Sequence, residues 1–139
     1  MLTLLTVEEA LAATLGHWNA VPFSWEGRDN CVMSVFAHCE LVTGLDAGAE
    51  WRGAYRDEAS AMRAVAAAGG LLAGMDKGLT GIGLARTDTP RRGDPICAVI
   101  GGQEIAGIHL GEWSTFRLCD RGRVDLPVRP VAAWALGLA

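Results

Sequence analysis

Cys31 is the residue of this chain best placed to do chemistry. It stands in the stretch Gly27-Arg28-Asp29-Asn30-Cys31-Val32, where Asp29 or Asn30 can cap a helix that begins at the cysteine. The free amides and the positive dipole end of such a first turn favour a thiolate, which makes Cys31 a candidate nucleophile. The plainer alternative is a buried thiol filling a helix–sheet contact. Nucleophilic catalysis also needs a base, and the chain has three histidines. His38 falls on the same helix face as Cys31 but roughly 10 Å along the axis, too far for a direct hydrogen bond. His17 closes the preceding helix beside Trp18, where a C-terminal dipole contact or a solvated position accounts for it. His109 lies in an expected strand, on one face with Ile105 and Gly107, and points toward the cysteine's helix if that face is inward. Cys31 as nucleophile and His109 as base are the candidate catalytic residues.

Other chemistries have less to stand on. Cys31, Cys39, Cys97 and Cys119 contain no C-x-x-C pair, and a chain of this apolarity needs no disulfide staples, so four reduced thiols are expected. A zinc ion could recruit Cys31, His38 and Cys39, but a second ligand pair at finger-like spacing and an H-E-x-x-H motif are both missing, so no metal and no cofactor are expected. A net charge of -4 and a pI near 5.3 give no basic footprint for nucleic acid. The N-terminal stretch lacks a basic region and carries Glu8 and Glu9 inside its apolar run, so no signal peptide is expected, and the protein is expected to be made soluble in a cytoplasm. Apolar runs stay well short of the ~18 residues of a membrane span.

The elements that must position Cys31 follow from spacing. With 139 residues, half of them apolar, the chain can bury one core, and a single domain over residues 1–139 is expected. Thr6 and Glu9 form a capping box for a first helix through Val7, Leu11 and Leu15 to Gly16. A packed loop rich in tryptophan should lead to the second helix, from Cys31 to Thr43, which Gly44 stops. Asp46 can cap a short turn containing Trp51, and Asp57 or Glu58 opens a third helix running to the Gly69-Gly70 stop. Residues 71–89 are rich in glycine; a short helix near 72–77 and then a loop to Pro90 are expected. After Gly93 the runs ICAVI, EIAGIHLG, TFRLC, VDLPV and VAAWAL, separated by turns such as GGQE and DRGR, predict an antiparallel meander. Helices over about 5–80 followed by strands over about 93–136 mean α+β, with helix two packed on the sheet.

A cysteine followed by a helix, then Gly93-Asp94-Pro95-Ile96, a turn, and Ala106-Gly107-Ile108-His109-Leu110-Gly111, resembles the NlpC-like cysteine peptidases of the bacterial cell wall, a compact papain-like fold. Trp25 with Asp29 and Cys31, Thr43-Gly44-Leu45-Asp46 and Arg52-Gly53-Ala54-Tyr55 are similar to motifs of small phage and prophage tail proteins related to those peptidases. The resemblance spans roughly residues 25–134. It implies a papain-like α+β fold, and it also exposes departures. In the active peptidases the catalytic histidine precedes the Gly-Ile pair by two residues, and Ile105 fills that slot here. His109 is two residues further on, roughly 6 to 7 Å away at strand rise. The polar group that would orient the histidine should come from the next strand, where Thr115 and Arg117 are poor substitutes for Asn, Asp or His. An extra residue also separates Asp29 from Cys31, so Asn30 can take over the cap. Asp94 is read as an exposed turn former, Arg52 and Tyr55 as packing residues, and Trp25, Trp51 and Trp113 as anchors or a binding surface.

The resemblance implies a structural or interaction subunit of a phage-like tail, at the tip or distal end, whose peptidase chemistry has been lost. Its partners would be other tail proteins, with peptidoglycan peptide as the ligand of an old cleft, and its place would be the virion, assembled in the host cytoplasm. The alternative is an active, particle-borne peptidoglycan hydrolase with Cys31 as nucleophile, helix-start amides as oxyanion donors and His109 as base. A bacterial thiol enzyme outside any phage context is a third possibility.

Overall fold

A computed structural model describes residues 3–119 and 122–137; the Asp120-Arg121 part of the expected DRGR turn lies outside the described residues. Among them the chain forms four helices, α1 (Val7–Ala20), α2 (Cys31–Thr43), α3 (Glu58–Ala67) and α4 (Leu71–Gly81), and six strands, β1 (Ala85–Arg86), β2 (Pro95–Ile100), β3 (Gln103–His109), β4 (Ser114–Leu118), β5 (Gly122–Leu126) and β6 (Ala132–Ala135). The protein is α+β, with one antiparallel sheet in the order β1-β6-β2-β3-β4-β5.

Local signals set the helix ends. The α1 capping box is present, with Thr6 N–H donating to Glu9 Oε1 at 2.9 Å and Glu9 N–H to Thr6 Oγ1 at 3.1 Å. Gly16 does not stop α1, which runs four residues further, to Ala20. Asn30 caps α2, its Oδ1 accepting the Met33 N–H at 2.9 Å, and Gly44 closes it in the left-handed conformation at φ 75°. Asp57 caps α3.

The glycine-rich segment is one helix, α4, longer than 72–77 at both ends. Two of its glycines allow close approach: a Cβ on Gly78 would stand 2.4 Å from the Ala47 carbonyl oxygen, and one on Gly74 would stand 2.3 Å from the Trp51 ring. The strands are not a simple meander. The run β2 to β5 is one, but β6 returns to the opposite edge, pairs with β2 through Ile96↔Ala133, and then takes on β1. The sheet therefore begins at Ala85 rather than near residue 93. That return obliges residues 127–131 to cross one face of the sheet.

Alternation along the strands gives the two faces different cores. Cys97, Ala106, Ile108, Ala132 and Trp134 pack with Val32, Val35 and Phe36 of α2, forming the main core. Ile96, Ala98, Phe116 and Ala133 form a second cluster on the opposite face, joined by Leu126 and by Val128 of the crossover. No helix among the described residues is long and apolar enough to cross a membrane.

Candidate functional site

Cys31 is the first residue of α2, as its neighbours predict, and it keeps part of its surface exposed. The electrostatics run against activation. Burial pushes the thiol above its ordinary range, outweighing the hydrogen bonds offered by the amides of Val32 and of Cys31 itself. The buried Tyr55 hydroxyl is part of the same environment: burial, reinforced by the neighbouring thiol, pushes it up to about 12. A helix start lowers a thiol's pKa and burial in apolar surroundings raises it, and at Cys31 burial is the larger effect.

None of the histidines serves the thiol. His109 pairs in register with Ser114, its Nδ1 lying 3.4 Å from Ser114 Oγ. Phe116, two residues beyond Ser114 on the same face, belongs to the cluster turned away from α2. Ile108, next to His109, faces α2 instead. The sheet therefore separates His109 from Cys31, and the condition under which it could act as the base, an inward face, is not met. Ile105, in the slot where the peptidases carry their histidine, packs on the second cluster.

His38 is fully buried. Its Nε2 lies 2.8 Å from the Gly93 carbonyl oxygen and must donate to it, so Nδ1, 3.1 Å from Thr14 Oγ1, accepts the threonine proton. Burial holds this imidazole below its ordinary pKa, against the favourable carbonyls and Asp94. The unfolded chain therefore takes up a proton at this histidine before the folded one does. Stability is expected to be flat above about pH 6.5 and to fall as pH drops below it, at up to about 1.4 kcal/mol per pH unit, until the folded pKa is reached. Urea melts at neutral and mildly acidic pH should show that slope, and His38→Asn should reduce it.

The polar centre beside Cys31 is built around Arg117, a residue that sequence reasoning weighed only as a poor triad member. Its side chain is 1% exposed; Nη1 donates to Asp29 Oδ1 at 2.9 Å and to Ser34 Oγ at 3.0 Å, and Nη2 donates to the Val21 carbonyl. Asp29 Oδ1 also meets His17 Nε2 at 2.7 Å. Burial alone would raise the Asp29 carboxyl, but hydrogen bonds from Arg117 and His17 hold it below the usual carboxylate range. The extra residue before Cys31 thus divides two tasks: Asn30 caps the helix and Asp29 ties α1 and β4 to the loop. The signal in the sequence was an arginine alternating onto the helix-facing side of an apolar strand.

Asp94 is buried rather than exposed. Its Oδ1 accepts the Leu136 N–H at 2.9 Å and its Oδ2 the Arg91 N–H at 2.8 Å, which fastens the start of β2 to the end of β6. Arg52 pairs with Asp46. Trp25 stands edge-on to Phe23 at 5.0 Å and Trp51 tilts over Phe36 at 6.1 Å, while Trp113 is 47% exposed. Trp25 and Trp51 pack against the main core, and Trp113 stands at the surface. All four cysteines are free, and no group of three His, Cys, Asp or Glu among the described residues could hold a metal ion.

Cavities of about 500 Å³ between α1 and α2, 900 Å³ beside Trp51 and 560 Å³ beside His109 indent the molecule, and Cys31 lines none of these three. The class defined by this arrangement is an α+β domain whose helix-start cysteine lacks a histidine partner. Residues 4–136 match the family model described as Domain of unknown function (DUF6950), and the chain belongs to that family. No curated protein and no solved structure matches it.

Proposed function

We propose that the chain is a non-catalytic structural and interaction subunit of a phage or phage-like tail, at the tip or distal end, built on a papain-like, NlpC-like scaffold. The observation that carries the loss of chemistry is the isolation of Cys31, with its thiol pushed up by burial, Ile105 in the base's slot and His109 across the sheet. Arg117 fills the strand position next to the old site and spends its donors on Asp29, Ser34 and Val21, so it orients no histidine. The tail context rests on the sequence motifs between Trp25 and Trp134. The surface is compatible with assembly: Leu4, Leu41 and Leu45 are exposed around the C-terminal end of α2, and tail interfaces must bury apolar area at the ~1,000 Å² scale.

The test is co-expression with the tail proteins encoded beside it. The chain should co-sediment with assembled tails in the host cytoplasm and appear in the virion, and its deletion should stall assembly. Complete, infectious tails formed without it would contradict the proposal. The second reading, an active particle-borne hydrolase, draws support from the two first-turn amides directed at the Cys31 thiol, which are the donors an oxyanion would need.

A further inference from the structure

The end of β4 and the first turn of α2 bring together two thiols that the function proposed above leaves unused. Arg117 fixes how these elements face each other: from β4 it donates to Asp29 Oδ1 at 2.9 Å and to Ser34 Oγ at 3.0 Å. Cys31 lies between those two partners in the chain and one helical turn before Ser34, which puts both residues on one side of α2. Cys119 directly follows β4. Leu118 packs on the far cluster, so the next residue returns to the side occupied by Arg117 and α2. The two thiols are close enough that a charge on Cys119 opposes ionisation of Cys31. Cys119 is exposed and Cys31 half-buried, whereas Cys39 and Cys97 are fully buried, so a small reagent meets one pair of cysteines only.

A disulfide needs two sulfurs on facing elements and backbone that can settle to the geometry of the bond. Cys119 opens the turn between β4 and β5 and Cys31 opens a helix, so neither sits inside a ladder or a mid-helix turn that the bond would have to distort. We propose that Cys31 and Cys119 are a redox-active pair that closes to an intramolecular disulfide on meeting a low-molecular-weight disulfide, clamping the start of α2 to the end of β4. The exposed Cys119 thiolate attacks one sulfur of the reagent, the reagent's S–S bond breaks, and one low-mass thiolate leaves. Cys31 then attacks Cys119 Sγ, its proton passes to solvent, the second low-mass thiolate leaves and the protein S–S bond remains. Two protein thiols are oxidised, and one reagent disulfide is reduced to two thiols, which take up the two protons. Burial keeps Cys31 protonated, so it is the slower, resolving partner. The pair closes whether or not the chain is a tail subunit, and it asks no catalysis of Cys31.

The experiment incubates the full chain with glutathione disulfide in the absence of denaturant, blocks the remaining thiols with an alkylating reagent and maps the peptides by mass spectrometry. The native protein should lose two hydrogens in mass and carry a Cys31–Cys119 link within one chain. Its thermal midpoint should rise by about 5 °C or more, since most of the chain lies inside the loop that the bond closes, and a thiol reductant should reverse both changes. Cys31→Ser should stop at a mixed disulfide on Cys119, and Cys119→Ser, at an exposed position, should leave Cys31 a free thiol over the same time. A mixed disulfide that persists on Cys119 of the native protein, links that join two chains or involve Cys39 or Cys97, a link formed only in urea, or a midpoint that fails to rise would each overturn the assignment.

Discussion

Arg117→Ala is expected to destabilise the fold by about 3 kcal/mol, the scale for breaking a buried ion pair by removing one partner. The guanidinium joins β4 to Asp29 before α2, to Ser34 on α2 and to the Val21 carbonyl after α1. Without it the hydroxyl and the carbonyl lose a partner in the interior, while Asp29, about a quarter exposed, keeps His17 and gains water. Asp29→Asn should therefore cost less, about 1 kcal/mol, since the amide oxygen can still accept from Arg117. Urea titration should show a lower midpoint with unchanged slope. The acid limb carries a second signature. A carboxyl held below its ordinary value stabilises the fold above its unfolded pKa of about 4, and that contribution is lost as pH falls through the lower folded value. In Arg117→Ala that acid-dependent loss should flatten. Because the same arginine steadies the loop leading into α2, the variant should also alkylate faster at Cys31.

Trp134→Ala is expected to cost about 4 kcal/mol, in the range for deleting a fully buried aromatic side chain. The indole is 0% exposed on the helix-facing side of β6, and its Nε1 donates to Asp76 Oδ1 at 3.0 Å. Its removal opens a cavity between α4 and the sheet, strands the Asp76 contact and takes away the ring beneath Arg86. Trp134→Phe keeps most of the apolar volume and loses the hydrogen bond, so about half the effect is expected. Urea midpoints of the two variants check the order.

Where sequence signals are local, the fold was legible. Asn30, Gly44 and Asp57 act within a turn of the ends they set, so α2 could be placed to the residue. Longer-range causes were hidden. Gly78 reads as loop beyond a helix over 72–77 because the reason for it, the approach of the Ala47 carbonyl, lies in another segment. The apolar run of β6 announced a strand but not its partner, and the pairing with β2 is what sends the crossover over the far face. His109 was assigned correctly to one face with Ile105 and Gly107, yet period-two alternation does not say which face meets the helices. That single ambiguity decided the site. Arg117 and His17 were judged one at a time, whereas their role depends on Asp29 lying between them, a juxtaposition made by three separate elements.

The central claim, that Cys31 holds a nucleophile's position without a nucleophile's chemistry, is most directly tested by charged-reagent alkylation followed by mass spectrometry, run beside a peptidoglycan-release assay. Cys119, which is exposed, serves as the internal reference, and Cys39 and Cys97 are buried. Cys31 should label much more slowly than Cys119, and the native protein should release no peptide or sugar from peptidoglycan. Rapid labelling of Cys31 together with turnover that Cys31→Ala abolishes would contradict the account.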